Sequence, residues 1–335
     1  MKKILVVLLL SSIAIAAPPK HTAKRRRTKA HKPDLQQQLN IMAKHFQGKV
    51  ALYATNMKSG ATVAIDPDQP VATASVIKLP IMVETYAQVR TGKQALDAKL
   101  RLTKENQVPG SGVLSALEPG LELSLRDTVV LMMQVSDNTA TDMVIDQVTI
   151  PAVNNRMKAM GLTNTYLYKK VYKPAEGEIP PDQKKFGLGK TTAREMAQVM
   201  TSVVGCATGA APLSPGPANW NGISDARLCR QMIDIMRGQQ YRNMIPHYIE
   251  TVDTSETRSA IADKVGQLDD VRNDVALIDT KSGPIIISAF TYDIKDQRWL
   301  AENAAEQLIA RMAKVIVNDW APAGLVPPST ESGGQ

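Results

Sequence analysis

Cysteine and histidine are scarce in this chain of 335 residues, which carries two of the first and four of the second. His21, His31, His45 and His247 stand at no spacing that could close around a metal ion, so no metal and no other cofactor is expected. Cys206 and Cys229 flank a stretch rich in Gly, Pro and Ser, and a disulfide between them is expected in preference to two buried thiols. In the chain-entropy view such a bond stabilises by about 3 kcal/mol. Gly189-Lys190-Thr191 lacks the upstream glycine and the strand of a phosphate-cradling loop. A membrane span needs about 20 apolar residues, and the run that opens at Ile4 is broken by Ser11-Ser12 and ended by Pro18-Pro19.

Acid is missing from the first 32 residues, which hold nine cations: Lys2, Lys3, Lys20, Lys24, Arg25, Arg26, Arg27, Lys29 and Lys32. Taking these nine from the formal net charge of +8 leaves −1 for residues 33–335. The folded body is thus near neutral, and nucleic acid is not expected as a partner. Met1-Lys2-Lys3, the apolar run Ile4–Ile13 and Ala14-Ile15-Ala16 have the charged, greasy, small-residue order of a secretory signal. Residues 1–16 are therefore expected to be removed and the protein exported, periplasmic or secreted, with no transmembrane helix in its mature form. Residues 17–33 form a basic, Pro-flanked linker.

Leu35, Leu39, Met42 and Phe46 fall on one side of a predicted helix over 34–46, and strand-like runs 50–56 and 61–65 follow around the turn Lys58-Ser59-Gly60. The pattern is then helical to about Gly205, with helix starts marked at Ser124 and Thr192 by capping-box spacing. Strand chemistry returns near residue 261, at 274–279 and at 285–292, before a final amphipathic helix from about 298 to 317. Sheet segments at both chain ends imply an α/β (α+β) fold: an antiparallel sheet with flanking helices and an inserted all-helical lobe. The expected division is a catalytic domain over 34–320, with a sheet lobe (34–72 and 255–320) and a helical lobe (73–254). Residues 321–335 would be a flexible tail.

Ser75-Val76-Ile77-Lys78 opens a long apolar helix. Positions three apart share a helix face, so the Lys78 amine can reach the Ser75 hydroxyl and take its proton. The helix start adds N–H groups where an oxyanion would form. Alone, S-x-x-K is a weak signal, as is the N-cap cluster Ser136-Asp137-Asn138 that comes 61 residues later. In this order the two motifs form the signature set of class A β-lactamases and penicillin-binding proteins.

The chain resembles the class A β-lactamase family over most of residues 34–320. The resemblance implies that Ser75 is acylated, that Lys78 relays its proton, that Ser136 passes a proton to the leaving nitrogen and that Asn138 binds the substrate amide. For the third motif, Lys264-Val265-Gly266 is preferred over Lys281-Ser282-Gly283, which is followed by Pro284 and reads as a hairpin turn. Lys264 would then attract the substrate carboxylate, and the N–H of Gln267, next to Gly266, would complete the oxyanion hole. Val265 stands where the family has a hydroxyl. Glu176, in Glu176-Gly177-Glu178-Ile179-Pro180, matches the deacylating glutamate by its distance from Met196, with Pro180 in place of an asparagine. Arg272 matches an auxiliary carboxylate-binding arginine. The implied partner is a small β-lactam or a peptidoglycan stem peptide, handled by a monomer. The implied activity is β-lactam hydrolysis; the alternatives are a D,D-peptidase or penicillin-binding protein, and a non-catalytic cell-wall or antibiotic-binding module.

Overall fold

Five strands, Lys49–Asn56, Thr62–Ile65, Ile261–Leu268, Val271–Ile278 and Ile285–Tyr292, make one antiparallel sheet in a computed structural model of the chain. The first strand, Lys49–Asn56, pairs with the last, Ile285–Tyr292, in the register Ala51↔Phe290, so the two chain ends are stitched together as the sequence implied. Ile261–Leu268 forms the far edge and pairs with Val271–Ile278 in the register Gly266↔Asn273. The structure describes residues 33–178, 180–213, 219–220, 223–249 and 259–326. The expected signal segment and all of the linker before Pro33 lie outside the described residues, as do 327–335. From Asp34 onward the chain forms one compact unit.

Every residue of Val271–Ile278 is buried, which requires cover on both sheet faces. Alternation along the strands divides the cover into two cores. Ala276, Ile278, Ile285 and Ile287 pack with Leu35 and Leu39 of the first helix (Leu35–Lys44) and with Ile309, Met312 and Ile316 of the last (Ala304–Trp320). Val275, Leu277, Ile286 and Phe290 pack into the larger core, with Val199, Met200 and Val203 of the helix Ala193–Ala207. At the centre of the larger core, the helix Lys78–Arg90 is buried at all 13 positions. Its charged residues beyond Lys78 are paired, Arg90 with Asp225 at 2.6 Å and Glu84 with Arg156 at 2.9 Å. The Cys206–Cys229 disulfide joins Ala193–Ala207 to the helix Asp225–Arg237.

Helix starts follow the expected caps. Ser124 Oγ accepts from Asp127 N at 3.0 Å and Thr192 Oγ1 from Glu195 N at 3.1 Å. Two expectations shift. The last helix begins at Ala304, because Asn303 caps it through Ala305 N (2.9 Å), and residues 298–303 are instead a loop. The segment 321–326, expected to be loose, is bonded to the hairpin beside it: Val326 N donates to Asp279 O at 2.9 Å and Lys281 N to Gly324 O at 3.1 Å.

Candidate active site

Ser75 lies in a short 3-10 turn, Ala74–Ile77, that runs directly into Lys78–Arg90. Ala74 has φ +46°, a left-handed conformation that L residues rarely hold without support. The support comes from two neighbouring strands, Val271–Ile278 and the edge strand Ile261–Leu268. Asn273 Nδ2 donates to Ala72 O (2.8 Å) and Thr73 O (3.2 Å). A Cβ on Gly266 would stand 2.7 Å from Thr73 O, 2.9 Å from Val76 N and 3.0 Å from Ser75 N, so only glycine lets the strand approach these amides. Ser75 is half-buried, and among the described residues no hydrogen bond engages its hydroxyl.

Behind Ser75 lies a buried polar cluster. Lys78 is fully buried, and its Nζ donates to Ser136 O (2.7 Å), Asn138 Oδ1 (3.0 Å) and Ser136 Oγ (3.1 Å). Lys264, also fully buried, donates to the same Ser136 Oγ at 3.1 Å and to Val265 O at 2.8 Å. Ser136 occupies the break between the helices Leu125–Gln134 and Asn138–Val148 with φ +53°. Asp137 fixes that break: Oδ1 caps the second helix through Ala140 N (2.8 Å), and Oδ2 accepts from Val113 N (2.6 Å) and Leu114 N (2.8 Å). Ser111 Oγ donates to Ser136 O at 2.7 Å, and Asn138 Nδ2 to Pro109 O at 3.0 Å.

Burial, helped by the charge of Lys264, pushes the Lys78 amine well below the ordinary lysine range, against the opposing pull of Asp137 and Asp142. Burial also lowers Lys264 to about 7, opposed by Asp263 and Asp274. A neutral amine at Lys78 is a competent proton acceptor near neutral pH. Lys281 sits apart, exposed in the turn between the last two strands.

Ser75, Ser136 and Asn138 line one cavity of about 600 Å³, together with Gln267, Val171 and Tyr172. Glu176 does not reach it. That side chain is exposed and, with Glu178 and Pro180, lines a separate cavity beside Tyr166 and Tyr168. The residues that face Ser75's cavity from this stretch of chain are Lys169, Val171 and Tyr172. The Val171 N–H donates to Asp142 Oδ1 at 2.8 Å, so the loop is tied down one helical turn beyond Asn138. Distance from Met196 along the chain takes no account of this anchor, which is why the expected base lies too far out. Asp142 is itself buried, its carboxyl raised to about 6 by desolvation, and its Oδ2 has no partner among the described residues.

Arg272 is likewise not a cavity residue. Its buried guanidinium is consumed by Glu306 Oε1 (3.1 Å), Val271 O (2.9 Å), Leu268 O and Arg298 O (3.2 Å), and it stacks 4.6 Å from the ring centre of Trp299. The Gln267 side chain also bonds Glu306, at 2.7 Å, and Gln267 lines the cavity. Ser111, Tyr241 and Trp299 line the cavity without having been singled out in the sequence. Each comes from a loop whose only local signal is a polar or aromatic residue among turn formers.

Residues 34–320 match the model of the β-lactamase enzyme family. A β-lactamase from Sphaerobacter thermophilus superposes with a TM-score of 0.69 at 26% identity, covering 87% of this chain and 98% of that one. PBP-A, solved as a point mutant in an acyl-enzyme complex with penicillin G, superposes at 0.66 and 24% identity over 85% and 95% of the two chains, a likeness of fold. A β-lactamase regulatory protein, BlaB of Streptomyces cacaoi, is 32% identical over 107 residues, or 30% of this chain. The match spans about a third (33%) of that relative's length.

Proposed function

This chain belongs to the β-lactamase enzyme family, and from that footing we propose that it is an exported serine acyl-transferase that forms a covalent adduct at Ser75 and releases it slowly. The observation that carries this reading is an asymmetry in one cavity. The buried Lys78–Ser136–Lys264 cluster is complete, yet among the described residues no carboxylate lines the cavity that holds Ser75.

In the acylation step, neutral Lys78 takes the Ser75 proton as Oγ bonds to the carbonyl carbon of a β-lactam or stem-peptide amide. The amides of Ser75 and Gln267 receive the developing oxyanion, and the positive charge of Lys264 favours a ligand carboxylate. When the C–N bond breaks, the proton held by Lys78 returns through the Ser136 hydroxyl to the leaving nitrogen. Hydrolysis of the acyl-enzyme needs a base for water, and a positioned base contributes about 10²–10⁴-fold. Without one, release slows by that order. This favours the penicillin-binding or D,D-peptidase reading over rapid β-lactam hydrolysis. The signal-like residues 1–16 and the Cys206–Cys229 disulfide both support export to an oxidising compartment.

Intact-protein mass spectrometry over time, with a penicillin and a cephalosporin, tests the proposal. The expected result is a stoichiometric adduct that persists for many minutes. An adduct that clears within seconds makes the protein a fast β-lactamase, and no adduct at all makes it a non-catalytic module.

A further inference from the structure

Aromatic residues are few in this chain, with 3 Phe, 3 Trp and 8 Tyr. Three of those fourteen, Tyr172, Tyr241 and Trp299, line the cavity of Ser75, and all are exposed. Leu268 lies beside them, also exposed. Exposed large apolar side chains gathered at one cavity mark a binding surface, because folding alone gives no reason to leave them in water.

Two of the three are held in place by devices that stability does not explain. Tyr172 is 66% exposed, yet its backbone sits at φ +54°. For a bulky residue that conformation is a true outlier and costs on the order of 1–3 kcal/mol. Its ring lies over Gly110, where a Cβ would stand 3.3 Å from Tyr172 Cε2 and 2.5 Å from Asn138 Nδ2. The bare glycine thus leaves room for the ring immediately beside the amide of Asn138. Trp299 is 59% exposed and rests on the guanidinium of Arg272, which is 0% exposed. Its indole N–H donates to Asp269 Oδ1 at 3.3 Å. A fully buried arginine that needs a carboxylate and three carbonyls to hold it is an expensive base for a surface ring, unless the ring's position matters.

We propose that Tyr172 and Trp299 determine specificity by receiving a large apolar, preferably aromatic, substituent on the acyl side of the ligand. This rests on the reading of Ser75 as the acylated residue. Tyr172 stands next to Asn138, the side chain assigned to the ligand's amide, so a group carried on that amide falls against the ring. Trp299 offers a second π-face from a different element, with Leu268 beside it. Arg272 is a positioning residue that acts through Trp299.

The test compares acylation rates of benzylpenicillin and of 6-aminopenicillanic acid, which lacks the acyl substituent, in the parent and in Tyr172→Ala, Tyr172→Phe and Trp299→Leu. The parent should prefer benzylpenicillin by at least about tenfold. That ratio should fall severalfold in Tyr172→Ala and in Trp299→Leu and be kept in Tyr172→Phe. A parent ratio near one, or a ratio unchanged in both the Ala and Leu variants, overturns the proposal. If the parent forms no adduct with either compound, the acylation reading fails by itself. Equilibrium binding of the same two compounds, followed by tryptophan fluorescence, then decides the specificity proposal: a Tyr172- and Trp299-dependent preference for benzylpenicillin sustains it, and equal binding rejects it.

Discussion

The two sides of the Ser75 cavity are built to different standards. On the side of the second and third motifs, side chains from two elements converge on one hydroxyl carried by a third: Lys78 and Lys264 both reach Ser136 Oγ at 3.1 Å, with no solvent exposure at either lysine. On the loop side the wall is Val171, held through its backbone N–H to Asp142, and the carboxylates of the loop point into a different cavity. In the proposed reaction the difference separates two half-reactions: forming the acyl bond would depend on the well-built side, and breaking it with water on the side where no carboxylate lines the cavity among the described residues.

Removing the nucleophile breaks the comparison most completely. Ser75→Ala should reduce covalent labelling by a fluorescent penicillin at least about a thousandfold with the melting temperature kept, and residual labelling at another residue would move the site. Lys264→Ala should slow acylation by about a hundredfold, the scale of losing a charge-assisted contact, while Lys281→Ala in the distant turn should leave it at the parental rate. Equal effects in stopped-flow acylation would return the third motif to the hairpin. Val171→Glu places a carboxyl on the deficient side and should shorten the acyl-enzyme lifetime by about tenfold or more, with Glu176→Ala leaving that lifetime alone. If Glu176→Ala lengthens it instead, the exposed glutamate is the base.

Titration sharpens the comparison with a smaller effect. A lysine is charged below its pKa and neutral above it, and Lys264 stands at about 7. Acylation by a carboxylate-bearing β-lactam should therefore fall, by up to about tenfold, as pH rises through 7. Lys78, whose amine burial also lowers, would contribute a limb of the opposite sign, because it must be neutral to accept a proton. Esterifying the ligand carboxylate should abolish the alkaline limb, and a limb that survives esterification assigns it to another group. Away from both sides, replacing Cys206 and Cys229 by Ala should cost about 3 kcal/mol, read as a lower melting temperature. Acylation of the folded protein should be unaffected.

Much of the architecture was legible because it is periodic or capped. The hairpin around Lys58-Ser59-Gly60, the caps at Ser124 and Thr192 and the strand 285–292 all announce themselves locally. The residues gathered behind Ser75 were legible for another reason: the letters of the first two motifs stand at the ends of rigid helices and Lys264 within a paired strand, where few conformations are open. The loop was not legible. Its path is set by the long-range bond from Val171 to Asp142, and no local pattern distinguishes Glu176 from Val171 as the residue that turns inward. Arg272 misled in the same way, since it lies in the expected strand but its guanidinium is claimed by Glu306 and by the carbonyls of Leu268, Val271 and Arg298.

In the proposed reaction the shared hydroxyl of Ser136 would act as a proton gate, which follows from counting donors. Lys78 Nζ faces three oxygens, and two of them, the carbonyls of Ser136 and of the Asn138 amide, can only accept. When Lys78 is neutral it has two hydrogens for those carbonyls and a single lone pair, which the Ser136 hydrogen can occupy until Ser75 presents a proton in its place. Once Lys78 gains the proton from Ser75 it has three hydrogens and no lone pair. Lys264 already donates to the same oxygen. Both acceptor positions of Ser136 are then filled, and its hydrogen must swing away from the lysines into the cavity, where the leaving nitrogen waits. In that scheme the rotor of one serine sets the order of events: the leaving group is offered a proton only after the nucleophile has given one up.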